Sequence, residues 1–452
     1  MLTEAAAPSF GRAARAAGVL TAGRQIGALL LTAGVLALPH YLRARDLDPF
    51  LWAYFGQLLI SSVLNFGLER YTAREVAGDP TPAAILGAAV KGRLWTAAVT
   101  PLALAVFFAA VHVHLGAVAW IGVTVWTLAV QFEGVCFAAL RAADRAATEA
   151  GVSLVGRVVQ TAGLLVVAAQ GGSIAALLAV AAGSEAIVAF AAAVAARRAV
   201  GVSWRGTLPL RKLAVYSVLE LSVFAYLRAD LIIVGRLLGS SQGATYGLGY
   251  RLVDALIALA TPALLVLFAY ASGQSARGEA LEDTRRRTQM LLPSLGVVFA
   301  AVGIAGVGAL THVLPRLDAV GPALRVLLAT VPLTYLIGVE SHLLSAEDHN
   351  RPVVITGAVA LVVNVALNVV LVRHFGMVGA AAALVVTESL QVIGLSLGHR
   401  DARHGAERLA PLVALLVVGA VACNVGQLAV GCVLVAVAVG VALMTMRRAV
   451  HA

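Results

Sequence analysis

The stretch Val353–Val372 reads VVITGAVALVVNVALNVVLV and carries no charged residue. A helix crosses a hydrocarbon core of about 30 Å with roughly twenty predominantly apolar residues, because every backbone N–H and C=O group must be satisfied inside the helix. Val353–Val372 meets this requirement, and Leu94–His112 meets it as well. Segments of this kind predict a helical membrane protein.

Apolar runs of similar length follow one another along the whole chain, with short loops between them. The predicted spans are residues 17–39, 51–68, 92–113, 117–140, 151–170, 172–195, 213–237, 248–271, 289–313, 322–345, 353–373, 376–398, 409–427 and 429–446. This pattern predicts an all-α polytopic membrane protein with about fourteen transmembrane helices.

Composition and charge agree with a membrane location. The 452 residues are 60% hydrophobic and 12% charged, with a mean hydropathy of +0.92. A soluble domain with so little charge would precipitate. The net charge of +10 comes from arginines at the termini and in alternate loops, such as Arg285–Arg287 and Arg447–Arg448. This is the positive-inside pattern rather than a nucleic-acid-binding patch, and it predicts that both termini face the cytoplasm.

Ionisable residues inside the predicted spans indicate an internal repeat. Three pairs lie at equivalent spans, about 200 residues apart: Arg24 with Arg228, Glu133 with Glu340, and Glu185 with Glu388. Six spans per repeat leave both halves in one orientation, so the halves are expected to be related by a pseudo-twofold axis along the membrane normal, with a cavity between them. The predicted domains are a six-helix lobe over 1–205, a second over 206–400, and two additional helices over 401–452.

Several segments carry a family resemblance. Residues 228–239 read RADLIIVGRLLG and are followed by GATYGLGYR at 243–251; NVALN at 364–368 runs on to FGMVGAA at 375–381; and YLRAR at 41–45 precedes FLWAY at 50–54 and GLER at 67–70. In order and spacing these segments resemble helices 7–8, the helix 11–12 junction and the opening helix pair of the polysaccharide-unit flippases. That family belongs to the multidrug/oligosaccharidyl-lipid/polysaccharide (MOP) exporter superfamily.

The resemblance implies a flippase of the bacterial inner membrane. It would carry a polyprenyl-pyrophosphate-linked oligosaccharide from the cytoplasmic to the outer leaflet for surface polysaccharide biosynthesis, with the two lobes rocking to give alternating access. The implied partners are the lipid-linked glycan, membrane lipid, a polysaccharide polymerase and glycosyltransferases, with no nucleic acid.

The candidate substrate-binding residues are arginines, because a guanidinium grips phosphate oxygens bidentately and keeps its charge when partly buried. Arg24 and Arg228 are the main candidates, although pairing between helices explains them equally well. Arg251 is a weaker companion, expected near the outer interface, where snorkelling would also account for it. Glu133, Glu185, Glu340 and Glu388 are interpreted as structural or cavity charges.

Asp230 is the candidate for ion coupling. It lies two residues from Arg228, so the two side chains point to nearly opposite helix faces and cannot simply neutralise each other. An unpaired aspartate in the cavity would suit binding a proton or sodium, while pairing with an arginine on another helix is the alternative. Glu220, in the same predicted span, is the second candidate.

The sequence gives no sign of an enzyme. The lysines are Lys91 and Lys212, and neither ends a Gly-x-x-x-x-Gly-Lys phosphate loop, so transport is expected to run on a proton, sodium or substrate gradient without a cofactor. His112 and His114 lack a third ligand for a metal. Asp46 and Asp48 resemble the acidic pair of a membrane glycosyltransferase, but the outer loops are too short for a catalytic domain.

Two transport alternatives remain beside that enzyme. A drug or organic-cation antiporter of the same fold would favour cavity carboxylates and aromatic rings, whereas a pyrophosphate favours arginines. A flippase for the lipid-linked peptidoglycan precursor would share the pyrophosphate. The arginine in the first predicted span favours a lipid-linked anion over a cation.

Overall fold

The computed structural model describes residues 10–78, 81–210, 213, 217, 228–276, 278–347, 349–398 and 400–451. Within these ranges the chain consists of helices and their connections, with no β-strand. This confirms the predicted all-α polytopic fold. Glu220 and most of the predicted span 213–237 lie outside the described residues.

The helices of the first half follow the predicted spans. They are α1 (Phe10–Ala37), α2 (Ala44–Val63), α3 (Leu68–Gly78), α4 (Pro82–Ala110), α5 (Ala117–Ala142), α6 (Ala146–Ala169) and α7 (Ile174–Val200).

The second half begins with α8, described over 228–238. It continues with α9 (Ser240–Ala258), α10 (Thr261–Ala276), α11 (Glu282–Val313), α12 (Gly321–Leu328), α13 (Val331–Ala346), α14 (Asn350–Gly398), α15 (Arg400–Asn424) and α16 (Leu428–His451). Short 3₁₀ turns occupy Leu38–His40 and Pro315–Val320.

Among the described residues, eight helices are long and apolar enough to cross a membrane, or ten if each bent pair counts as one span. One of the eight, Asn350–Leu397, has 48 residues and would be about 72 Å long if straight, enough for two crossings. Its backbone breaks at Gly376, where φ is 58° and ψ is −140°. The break separates the two spans predicted at 353–373 and 376–398.

Three predicted spans are not continuous helices. Span 51–68 is bent by 52° between α2 and α3, and Phe66 and Gly67 adopt positive φ in the turn between the two helices. Span 322–345 is bent by 41° between α12 and α13, because Pro332 in the first turn of α13 has no N–H with which to continue the preceding helix. Span 248–271 is divided between α9 and α10. Each of these three predicted spans is thus made of two helical segments.

The helices pack as two groups. In the first half α5 packs on α2, α3, α4 and α7, while α1 packs on α6; in the second half α11 packs on α12 and α13, and α14 packs on the same two helices. The additional helices α15 and α16 pack on each other and on α11. The two groups meet where α1 and α2 contact α9 and where α1 contacts α10. The middle of the molecule is therefore an interface between halves.

Close approach across this interface depends on glycine. The indole of Trp52 on α2 lies against Gly243 on α9, and its Nε1 donates to the carbonyl of Ser240 at 2.8 Å. A Cβ atom at Gly243 would lie 2.7 Å from the Cα of Gly235, closer than real Cβ contacts allow. Any larger residue at this position must push α8, α9 or Trp52 away.

The substitution Gly243→Ala is therefore expected to destabilise the protein by about 1–3 kcal/mol, the usual effect of overpacking a close contact. Thermal unfolding in detergent should show a lower midpoint than that of the unaltered protein. Gly440→Ala on α16 is the matched control, because a Cβ there meets no atom within 4 Å. Equal midpoints for the two variants would contradict the packing argument.

Candidate anion-binding cavity between the two halves

A cavity of about 190 Å³ opens between α1 and α2 on one side and α8 and α9 on the other. Its lining residues are Ala28, Thr32, Leu58, Leu59, Arg228, Arg251, Asp254, Ala255 and Ala258. The walls are mostly apolar, and the charged groups among these residues are two arginines and one aspartate. The lining therefore has a net positive charge in a weakly polar setting.

The two arginines converge on one carboxylate. Nη2 of Arg228 lies 2.9 Å from Oδ2 of Asp254, and Nη1 of Arg251 lies 3.6 Å from the same oxygen. All three side chains are largely buried, with 21%, 12% and 21% exposure for Arg228, Arg251 and Asp254. Asp254 can neutralise only one of the two cations, so the cluster retains a positive charge.

Aromatic rings and polar groups hold these arginines from both halves. The guanidinium of Arg228 lies 5.0 Å from the ring centre of Tyr250, and that of Arg251 lies 4.7 Å from the ring centre of Tyr54 on α2. Arg251 also donates to the Thr32 hydroxyl on α1 at 3.2 Å. Such cation–π contacts favour a guanidinium over an ammonium. Arg251 thereby joins the two halves.

Some hydrogen-bonding capacity at this cluster is unused. The buried Nε of Arg251 and the buried hydroxyl of Tyr250 have no hydrogen-bond partner among the described residues. Buried polar atoms are normally paired, so these two atoms depart from the usual pattern.

The cavity arginines Arg228 and Arg251 lie eleven and twelve residues from the α8–α9 connection at Gly239, or about 17 and 18 Å along straight helices. A position of Arg251 near the outer interface stays a prediction. In the structure α9 begins at Ser240, two turns before the predicted start of that span.

The structure separates Arg228 from Asp230. Asp230 is fully buried and accepts hydrogen bonds from the Tyr246 hydroxyl at 2.8 Å and from the Leu231 N–H at 2.7 Å. It does not line the cavity, whereas Arg228 does. A coupling role for Asp230 stays a prediction. The backbone of Arg24 belongs to α1, but its side chain lies outside the described part of the structure.

Asp254 is the cavity residue that the sequence interpretation missed. The available signal was its spacing from Arg251, because residues three apart are neighbours on a helix surface and the two charges fall in one apolar span. The alternative explanation of Arg228 was an ion pair between helices, and Asp254 is the partner of Arg228 in such a pair.

The first half contains a second charged cluster, centred on Arg157 of α6. Its Nη1 lies 2.9 Å from Glu185 on α7, and its Nη2 lies 3.7 Å from Glu133 on α5. Gln160 accepts from Arg157 at 2.7 Å and donates to Glu185 at 3.1 Å. The sequence interpretation named both glutamates but not Arg157, which joins them.

The matching glutamates of the second half have different partners. Glu340 lies 3.5 Å from Nε of Arg285 and accepts from Gln289 at 2.6 Å, while Glu388 accepts from the Thr334 hydroxyl at 2.9 Å. The repeat thus places acidic residues at equivalent spans without reproducing their contacts.

Three further contacts between described residues of the two halves lie near the ends of helices. Asp48 pairs with Arg316, His112 contacts Arg236, and Trp52 bonds to the α8–α9 turn. Asp46 pairs with Arg45 at 3.2 Å, so the predicted acidic pair is divided between two arginines. Within the described ranges, no three His, Cys, Asp or Glu side chains come together as metal ligands.

No protein-family model matches the sequence, and no curated protein matches it. Solved structures do. The lipid II flippase MurJ in an inward closed conformation has a TM-score of 0.70 at 10% identity, covering 93% of this chain and 97% of that one. A multidrug resistance MATE family transporter of the MOP superfamily, in an outward-facing conformation, has a TM-score of 0.62 at 14% identity, covering 87% and 97%.

A third structure, a MOP superfamily transporter from Pyrococcus furiosus, has a TM-score of 0.60 at 14% identity, covering 88% of this chain and 97% of that one. The likeness extends over nearly the whole of each chain. At these identities it concerns the fold, so this polytopic membrane protein has the fold of the MOP superfamily of transporters.

Proposed function

We propose that this protein is a flippase for a polyprenyl-pyrophosphate-linked oligosaccharide. The observation that carries the proposal is the convergence of Arg228 and Arg251 on the single carboxylate of Asp254 in an otherwise apolar cavity. Two guanidiniums and one carboxylate leave a positive charge that an anion can satisfy. A pyrophosphate has enough oxygen atoms to accept hydrogen bonds from both arginines.

The cavity chemistry separates this function from cation transport. An organic cation would have to enter beside two arginines, and like charges in a poorly solvated site repel strongly. The apolar walls, including Leu58 and Leu59, suit the first isoprenoid units of the lipid carrier. The binding site is thus suited to an anion attached to an apolar chain.

Transport follows from the position of the cavity between the halves. Rocking of 1–205 against 206–400 would expose the cavity to each side of the membrane in turn. The contacts of Asp48 with Arg316 and of Trp52 with Ser240 would break in one of these states. In this proposal both termini are cytoplasmic, the membrane is the bacterial inner membrane, and an ion gradient supplies the energy.

The peptidoglycan-precursor flippase is the second candidate, favoured by the fold shared with the lipid II flippase. Both candidates bind a pyrophosphate on a polyprenyl chain, so the cavity serves either one. The glycan distinguishes them. In the proposed pathway, glycosyltransferases build the substrate before transport and a polymerase uses it afterwards.

Ligand-induced stabilisation tests the proposal. A short-chain isoprenyl pyrophosphate linked to one sugar should raise the thermal unfolding midpoint of the purified protein, because a ligand that binds only the folded state stabilises it. An isoprenyl alcohol and a quaternary ammonium of equal chain length serve as comparison ligands. Stabilisation by the ammonium but not by the pyrophosphate would contradict the proposal and favour a cation antiporter.

A further inference from the structure

Asp254 occupies the place in the cavity where an external anion would bind. Its Oδ2 accepts from Nη2 of Arg228 at 2.9 Å and lies 3.6 Å from Nη1 of Arg251. An anion that takes the guanidinium N–H groups now facing Asp254 therefore displaces this carboxylate. The following inference rests on the proposed function, because it assumes that such an anion binds here.

Displacement would leave Asp254 without its two cations. The other charged and polar groups of the surrounding network are Asp230 on α8, Tyr250 on α9, Tyr54 on α2, Arg157 on α6, Tyr335 on α13, Glu388 on α14, and Gln25 and Thr32 on α1. The described cation among them is Arg157, whose guanidinium is already paired with Glu133 and Glu185. The side chain of Arg24, also on α1, lies outside the described part.

A carboxylate that loses its partners in a mostly apolar cavity between membrane-spanning helices is strongly destabilised as an anion. Protonation removes this penalty, since low polarity favours the neutral acid. Charge balance points the same way. A pyrophosphate diester with two negative charges neutralises the two arginines completely, and a neutral Asp254 then leaves the cavity without net charge.

We propose that Asp254 takes up a proton from solvent when a pyrophosphate-class anion displaces it from Arg228 and Arg251. The carboxylate becomes a carboxylic acid, and the guanidiniums exchange its oxygen for phosphate oxygens. When the anion leaves, Asp254 loses the proton and pairs with the arginines again. Each anion bound is thereby linked to one proton, which makes Asp254 the coupling residue.

Asp230 is the alternative coupling residue, and its contacts argue against it. It keeps the hydrogen bonds from Tyr246 and Leu231 whether or not the cavity is occupied, because neither partner lines the cavity. Anion binding therefore removes no hydrogen bond from Asp230.

Calorimetry with the purified full-length protein tests the inference. The probe is the short-chain isoprenyl pyrophosphate linked to one sugar, a diester that has no proton to exchange near neutral pH. Titrations in buffers of different ionisation enthalpy give the number of protons taken up on binding. The expected value is about one for the unaltered protein and near zero for Asp254→Asn, as linkage requires.

Two further variants test whether the proton uptake belongs to Asp254. Asp230→Asn and the exposed control Asp318→Asn should both retain the proton uptake. Binding by the unaltered protein without proton uptake would overturn the inference and leave the proposed function intact, and so would uptake that persists in Asp254→Asn. Failure of the unaltered protein to bind the probe would instead reject the proposed function. The proton uptake measured with the unaltered protein tests the inference even if Asp254→Asn does not fold.

Discussion

Replacing Arg228 with glutamate is expected to abolish translocation of the lipid-linked substrate while the protein remains in the membrane. The change places two carboxylates beside Arg251, so the cavity loses its positive charge and repels the pyrophosphate. Loss of a bidentate, charge-assisted contact together with a new repulsion should reduce transport by at least about a hundredfold, since each 1.4 kcal/mol corresponds to a factor of ten.

Export in cells gives the readout, with protein abundance in the membrane fraction measured in parallel. Arg228→Lys keeps the charge but loses the planar fork and the ring contact with Tyr250, so it should transport at an intermediate level. Arg205→Glu is the control, because Arg205 is exposed and does not line the cavity. Full export by Arg228→Glu at normal abundance would reject the pyrophosphate site.

Replacing Arg157 with alanine is expected to have the largest effect on stability. The change leaves Glu133 and Glu185 in a buried cluster without their common cation. Removing one partner of a buried ion pair typically costs about 3–5 kcal/mol. Thermal unfolding in detergent and abundance in the membrane should both fall sharply, whereas Arg205→Ala, at an exposed position, should change neither.

Suppression distinguishes an electrostatic cause from a packing cause. Adding Glu133→Gln and Glu185→Gln to Arg157→Ala removes the uncompensated charge and should recover most of the stability, because the effects of contacting residues are coupled. A triple variant as unstable as Arg157→Ala would show that packing of the arginine stem, and not its charge, is what the cluster needs.

The sequence predicts the fold well because its signal is local. Twenty apolar residues specify a crossing without reference to the rest of the chain, and Val353–Val372 is recognisable for that reason. Breaks within spans are harder to predict. Nothing in the local hydropathy around Phe66 or Pro332 shows whether a helix bends inside the membrane or ends at its surface.

The candidate site is only partly predictable, because its chemistry depends on pairing across helices. The cost of an intramembrane charge identifies Arg228, Arg251 and the glutamates one at a time. Which charge meets which depends on helix rotation and on where each helix begins. Asp254 and Arg157 were missed for this reason, because the sequence does not show which charged residues on neighbouring helices they pair with.

The most direct measurement is translocation by the purified protein in vesicles. A fluorescent polyprenyl-pyrophosphate-linked oligosaccharide is placed in both leaflets, and a membrane-impermeant reductant quenches the outer pool. Vesicles with the unaltered protein should lose nearly all of the signal, and vesicles with Arg228→Glu or no protein should lose about half, the share of one leaflet. Equal quenching with the unaltered protein and with Arg228→Glu would contradict the account that the cavity arginines carry the pyrophosphate across.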